Sequence, residues 1–319
     1  MRIKKYIVLL LFFVCLGTVR AQQLSQYTQY MFNNYLLNPG VAGSSTCLDI
    51  KTGYRTQWIG FENRPKSGFI SAYKQLKFPK MPMMKQKHAL GAYFENDNTG
   101  PISMRNSFYL SYTIHTPLAR NIWLGAGIFG GVMLYTMNPG NLVTATPGDA
   151  TINSAGSKFI VPDFSPGLWL YSPRAYAGLS VKSIIGNTIF DKSSLTRHYY
   201  LTGGYKFSTK TPWSFIPSAF VRYSYASPIG FDANIMADFD GQFDIGLSYR
   251  LTEGFAALVK FNIRKFTIGY SYDYTLSKLR LASSNTHEIM LGIKICNGER
   301  AINVNGTSDP DLNRCPTFN

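Results

Sequence analysis

The chain has 319 residues, with 32 Lys+Arg against 17 Asp+Glu and a net charge of +15. Only 15% of its side chains are charged and another 15% are aromatic, where an ordinary soluble domain carries about 25% charged residues. The basic residues are scattered, with no Lys/Arg run longer than two. That argues against nucleic-acid binding and suits contact with anionic lipid headgroups.

The first 21 residues have the layout of a cleaved secretory signal. Arg2, Lys4 and Lys5 form a basic start, Ile7 to Leu16 an apolar core, and Val19-Arg20-Ala21 a cleavage site before Gln22. The apolar core is too short to anchor in a bilayer, and Cys15 lacks the small residues of a lipoprotein box. Losing Arg2, Lys4, Lys5 and Arg20 leaves a mature balance of 28 − 17 = +11. The following segment, residues 22–45, is rich in Gln, Asn and Tyr and does not alternate. Tyr27, Tyr30, Phe32 and Tyr35 argue that it packs, as a plug in a lumen or a cover over the periplasmic mouth.

From residue 46 to 296 the chain reads as an all-β, antiparallel transmembrane barrel of about 14 strands. No apolar stretch there approaches the roughly 20 residues of a membrane helix. Strands are expected near Thr46–Trp58, Ser67–Lys77, Lys87–Asp97, Ser103–His115, Ile122–Thr136, Lys158–Tyr171 and Arg174–Lys182. More follow near His198–Ser208, Trp213–Tyr225 and Ile229–Asp240. The last four show the clearest period of two. Phe243, Ile245, Leu247, Tyr249 and Leu251 alternate with Asp244, Gly246, Ser248, Arg250 and Thr252. Comparable alternation runs over Phe255–Arg264, Phe266–Thr275 and Glu288–Cys296. A soluble sandwich alternates too, but these runs are longer than its usual five or six residues. Aromatic residues near their ends suit the girdles of a membrane barrel.

Asp238-Phe239-Asp240-Gly241 and Thr252-Glu253-Gly254 carry turn chemistry. Met137 to Gly156 is long and rich in Asn, Pro, Gly and Thr, as expected of an extracellular loop, with Lys192–Thr196 and Ser277–Asn285 as shorter ones. Residues 297–319 lose the pattern and read as a polar periplasmic tail. Cys47, Cys296 and Cys315 survive signal removal, so one stays unpaired; Cys296 with Cys315 and Cys47 with Cys296 are both open.

No catalytic, cofactor-binding or metal-binding residues emerge, and the chain is not expected to be an enzyme. His88, His115, His198 and His287 fall in four separate strands. His287 and Glu288 are adjacent and so point to opposite faces. There is no G-x-S-x-G elbow and no P-loop. Gly125-Ala126-Gly127 and Gly130-Gly131 lie within a strand, where glycine permits bends or close packing. Asp244, Arg250, Lys260, Asp273, Glu288 and Lys294 are expected on the inner face. Both signs are present, which favours a packed lumen of mixed salt bridges over a selectivity lining.

Several short motifs resemble, in order, those of the PorP/SprF family. They are Gln29-Tyr30-Met31-Phe32-Asn33 with Leu37-Asn38-Pro39-Gly40-Val41-Ala42-Gly43, and Tyr54-Arg55-Thr56-Gln57-Trp58-Ile59-Gly60-Phe61 with Pro65. Phe164-Ser165-Pro166-Gly167-Leu168, Ser248-Tyr249-Arg250, Gly269-Tyr270-Ser271-Tyr272-Asp273 and Thr286-His287-Glu288-Ile289 follow. The resemblance implies an outer-membrane barrel of type IX secretion. Its expected partner is a secreted surface protein, such as a gliding-type adhesin with a type B C-terminal domain. A general role in the secretion or envelope-attachment machinery, with periplasmic or outer-membrane partners, is the alternative, and a diffusion pore a third. The partner-binding residues stay unknown at this level.

Overall fold

The computed structural model describes residues 24–76, 86–101, 103–137, 157–186, 188–190, 193–194, 196–225, 227–251, 253–276 and 285–296. The signal segment 1–21, the tail 297–319 with Cys315, and the long loop 138–156 lie outside them.

Among the described residues, fourteen strands form one closed antiparallel barrel. They are β1 (Leu48–Thr56), β2 (Lys66–Leu76), β3 (Lys87–Asn98), β4 (Ser103–Ala119), β5 (Ile122–Met137), β6 (Ser157–Tyr171) and β7 (Ala175–Lys182). Then come β8 (His198–Tyr205), β9 (Trp213–Ser224), β10 (Ser227–Phe239), β11 (Phe243–Arg250), β12 (Gly254–Ile263), β13 (Phe266–Thr275) and β14 (Thr286–Ile295). Every strand pairs with its sequence neighbours, and β14 closes on β1 from Leu48↔Ile295 to Thr56↔His287. The expected strands are all present, most within two residues of their expected ends. β4 and β14 run a little longer, β4 passing Pro117 with a register shift. Within the connection that includes the expected loop Lys192–Thr196, Ser193–Ser194 pairs with Thr188–Phe190 in a small separate hairpin.

The period of two is resolved by which face looks outward. In β11, Asp244, Gly246, Ser248 and Arg250 are buried inside, while Ile245, Leu247 and Tyr249 face out. Leu247 is 63% exposed, and Ile70, Leu110, Ile160, Phe255 and Ile289 are also exposed by half or more. A sandwich would bury that face; here it forms the outer wall, which only a bilayer can cover.

The chain begins β1 and ends β14 at the same, lower, end of the barrel. Tight links close that end, such as Arg120–Asn121 between β4 and β5 and Arg264–Lys265 between β12 and β13. Asn121 (φ 66°) and Arg264 (φ 57°) take the left-handed conformation these hairpin turns demand. The opposite, upper, end carries 57–65, 138–156, 183–197 and 276–285, four of the five longest connections; the fifth, 77–86, is at the lower end. Long loops face outside and short turns face the periplasm in such barrels, so the upper end is the extracellular one.

Residues 24–47 run inside the lumen from the upper end to the lower. Three short 3-10 turns, Thr28–Phe32, Asn34–Leu36 and Pro39–Val41, shape this segment. Pro39 starts the last turn, and the Asn38 side chain caps it by accepting the Gly40 N–H at 2.8 Å. Tyr30, Met31, Phe32, Tyr35 and Ala42 are almost fully buried. At the lower end a Cys47–Cys296 disulfide ties the segment to the end of β14, beside the Leu48↔Ile295 pair. This is one of the two pairings open from sequence.

Candidate functional site

The upper end of the lumen segment is held by charge. Glu288 of β14 points inward and accepts the backbone N–H groups of Thr28 (2.8 Å) and Gln29 (3.0 Å). The Gln29 amide returns a bond to the Glu288 carbonyl at 3.0 Å. Arg55 of β1 pairs with Glu288 at 3.1 Å and with Asp273 of β13 at 2.9 Å. Thr28 sits between them, donating its hydroxyl to Asp273 at 2.5 Å and accepting from Arg55 and Arg250. Two amide donors, a hydroxyl and a guanidinium thus converge on two buried carboxylates. Each buried charge has a partner, which is the condition for keeping such a cluster out of water.

Lower down, the wall is cut to fit the segment. A Cβ on Gly125 of β5 would collide with the Gly40 carbonyl, and one on Gly167 of β6 with the Asn38 side chain. Gly269 of β13 leaves the same kind of room for Gln29. The glycines inside β5 therefore serve close packing. Asn38 donates to the Leu168 and Leu179 carbonyls at 2.8 and 3.1 Å, and Thr113 donates to the Pro39 carbonyl at 2.7 Å. His115 meets the Ala42 carbonyl at 2.6 Å.

Tyr35 packs midway, against Tyr73 (4.9 Å between ring centres) and Phe129 (5.1 Å), with its hydroxyl 2.8 Å from Ser111. Tyr30 accepts from Asn234 at 2.5 Å and lies 4.8 Å from the Phe220 ring.

The expected inner-face charges are where alternation put them. Lys260 and Asp244 pair at 2.8 Å, with Lys260 above the Phe32 ring at 4.9 Å. Arg250 pairs with Glu253 at 2.9 Å and with Asp232 at 3.5 Å. Asp273 and Glu288 share Arg55. Lys294, half-buried near the lower end, keeps the inward phase of Glu288, Met290 and Gly292. His88 and His287 face outward against Tyr112 and Tyr270, so His287 and Glu288 do lie on opposite faces.

Sequence reading assigned no role to Arg55, Asp232, Arg222, Arg105 or Lys182. Arg222 pairs with Asp232 at 3.0 Å, and Arg105 pairs with Asp97 at 3.2 Å and holds Ser25 at 2.8 Å. Lys182 donates to Tyr93 at 2.9 Å and sits over the Phe129 ring at 4.6 Å. The available signal was phase: Arg55 shares the inward phase of Asp49 and Lys51 in β1. Among the described residues, no three His, Cys, Asp or Glu side chains group as metal ligands.

Above the charged cluster the upper mouth holds a cavity of about 400 Å³. Arg55, Gln57, Trp58, Ser248, Arg250 and Asp273 line it, together with Leu24–Gln26 of the lumen segment. Sequence motifs far apart in the chain therefore meet at one place.

The family described as type IX secretion system membrane protein PorP/SprF matches residues 19–293. No curated protein sequence matches the chain. Among solved structures, a Pseudomonas aeruginosa FadL homologue is 10% identical, with 85% of this chain and 94% of that one covered and a TM-score of 0.48. The Ralstonia pickettii toluene transporter TbuX is 10% identical, with 83% and 92% covered and a TM-score of 0.48. The P. putida toluene transporter TodX is 9% identical, with 86% and 95% covered and a TM-score of 0.48.

Proposed function

The chain belongs to the PorP/SprF family of type IX secretion system membrane proteins, and on that premise we propose that it receives or anchors a secreted cell-surface protein at the outer membrane. The cargo class that fits the family resemblance is a gliding-type adhesin ending in a type B C-terminal domain. The role is one of binding, with no catalytic step assigned. Export would use residues 1–21 as a cleaved signal, and residues 22–45 would act as a plug.

The observation that carries this reading is the upper mouth. Family motifs from β1, β11, β13 and β14 gather around one cavity on the extracellular side, above a lumen segment that they also hold. A protein that only sealed the membrane would have no need for such a lined recess. Placed outside, the recess is where a secreted partner arrives.

The test is purification of the full chain from chemically crosslinked outer membranes. Recovery of one secreted surface protein supports the reading. Recovery of periplasmic machinery components alone would move the chain to the general secretion or attachment apparatus. Steady conductance of the purified protein in planar bilayers, with no protein partner, would make it a pore.

A further inference from the structure

We propose that the upper-mouth cavity seats an extended peptide segment of the secreted partner, lying alongside Leu24–Gln26 of this chain. The inference rests on the secretion-partner reading above and adds the place and chemistry of contact.

Four observations carry it. Leu24–Gln26 adopt no helix or turn, yet line the cavity, and lead into the extended Tyr27 (φ −104°, ψ 136°), so one of its walls is already open main chain. That wall is fixed in place: Arg105 holds Ser25 at 2.8 Å, and Glu288 catches the next N–H groups at Thr28 and Gln29. The rest of the lining joins Trp58 and Pro65 to charges of both signs, Arg250 with Glu253 and Asp97. A ligand of one sign would meet repulsion somewhere on that lining, whereas a peptide brings donors, acceptors and apolar side chains together. Finally, the volume of about 400 Å³ is within the roughly 300–1,000 Å³ of specific binding pockets. Main-chain contact to a fixed extended segment, with recesses for alternate side chains, is an established way to hold a peptide.

The experiment places the photoreactive residue p-benzoylphenylalanine at Gln57 or Thr99, both in the cavity lining. The control position is Gln242, in the turn at the lower end. Intact cells making the full chain are irradiated, and adducts are mapped by mass spectrometry. The same secreted surface protein must also fall in a deletion strain. The expected result is an adduct from Gln57 and Thr99, but not Gln242, mapping to one short stretch of that protein. The cavity-filling variant Thr99→Trp should abolish the Gln57 adduct and lower retention of the protein at the surface.

If the deletion strain loses the surface protein but Gln57 and Thr99 give no adduct, the cavity is not the seat while the secretion-partner reading survives. If no surface protein is lost and no adduct forms, both fall. An adduct that persists unchanged in Thr99→Trp also overturns the cavity as the seat.

Discussion

Replacing Glu288 with Ala tests whether the lumen segment is held from its upper end. The Glu288 carboxylate takes the Thr28 N–H at 2.8 Å, the Gln29 N–H at 3.0 Å and Arg55 at 3.1 Å. Removing one partner of a buried ion pair costs about 3–5 kcal/mol. The two stranded amide donors are part of that loss, since contributions in one network do not add. Because each ~1.4 kcal/mol is tenfold, opening of the segment should become roughly 10²–10⁴-fold more favourable.

The assay is amide hydrogen exchange of the purified barrel in detergent, following a peptide covering residues 24–33 and one from β12. Exchange of the first should accelerate by that factor while the second stays protected, because the barrel's hydrogen bonds do not involve this carboxylate. Glu288→Gln, which keeps a carbonyl acceptor, should fall between. If residues 24–33 in Glu288→Ala exchange as slowly as in the parent, the carboxylate does not hold the segment and the reasoning fails.

Three further outcomes follow from the same structure. Gly125→Val puts a side chain where the Gly40 carbonyl sits, and overpacking of this kind costs about 1–3 kcal/mol. A lower unfolding temperature on heat-modifiability gels, with the segment more open to protease, would show it. Leu247→Arg sets a charge on the outer wall midway along β11 and should cost about 2–4 kcal/mol at the bilayer centre. Folding yield into liposomes would drop, whereas Leu247→Phe should be neutral. Lys260→Met strands Asp244, its 2.8 Å partner, at a cost of about 3–5 kcal/mol. Most of that should return in Lys260→Met/Asp244→Asn, read as denaturant midpoints.

The strands were legible because a barrel wall has two solvents. Lipid and lumen impose opposite preferences on alternate residues, so β11 and β13 announce themselves as Phe-Asp-Ile-Gly-Leu-Ser-Tyr-Arg and Phe-Thr-Ile-Gly-Tyr-Ser-Tyr-Asp. Alternation alone does not say which face is outside; the exposure of Leu247 and burial of Asp244 settle it. The packing of Tyr30 and Tyr35 was legible for the simpler reason that large rings in a polar stretch need a place to be buried.

The cluster at the upper mouth was not legible. Arg55 and Glu288 are neighbours only because β14 closes on β1, joining residues 233 positions apart. The lumen segment's path was hidden in the same way. Its motifs match glycines on β5, β6 and β13, and a glycine in a strand reads as a bend until the chain it admits is seen. The Cys47–Cys296 bond likewise depends on closure, which puts the residue before β1 beside the residue after β14. The small hairpin inside the 183–197 connection left no trace, because so few paired residues have no period to detect.

The most direct test of the central claim is the surface and medium proteome of a deletion strain beside its parent. A dedicated partner predicts that one surface protein disappears from the cell while other secreted proteins are unchanged, with recovery on re-expression of the full chain. An unchanged surface and medium would contradict the account, and so would the loss of many secreted proteins at once, which would place the chain in the core of the secretion machinery.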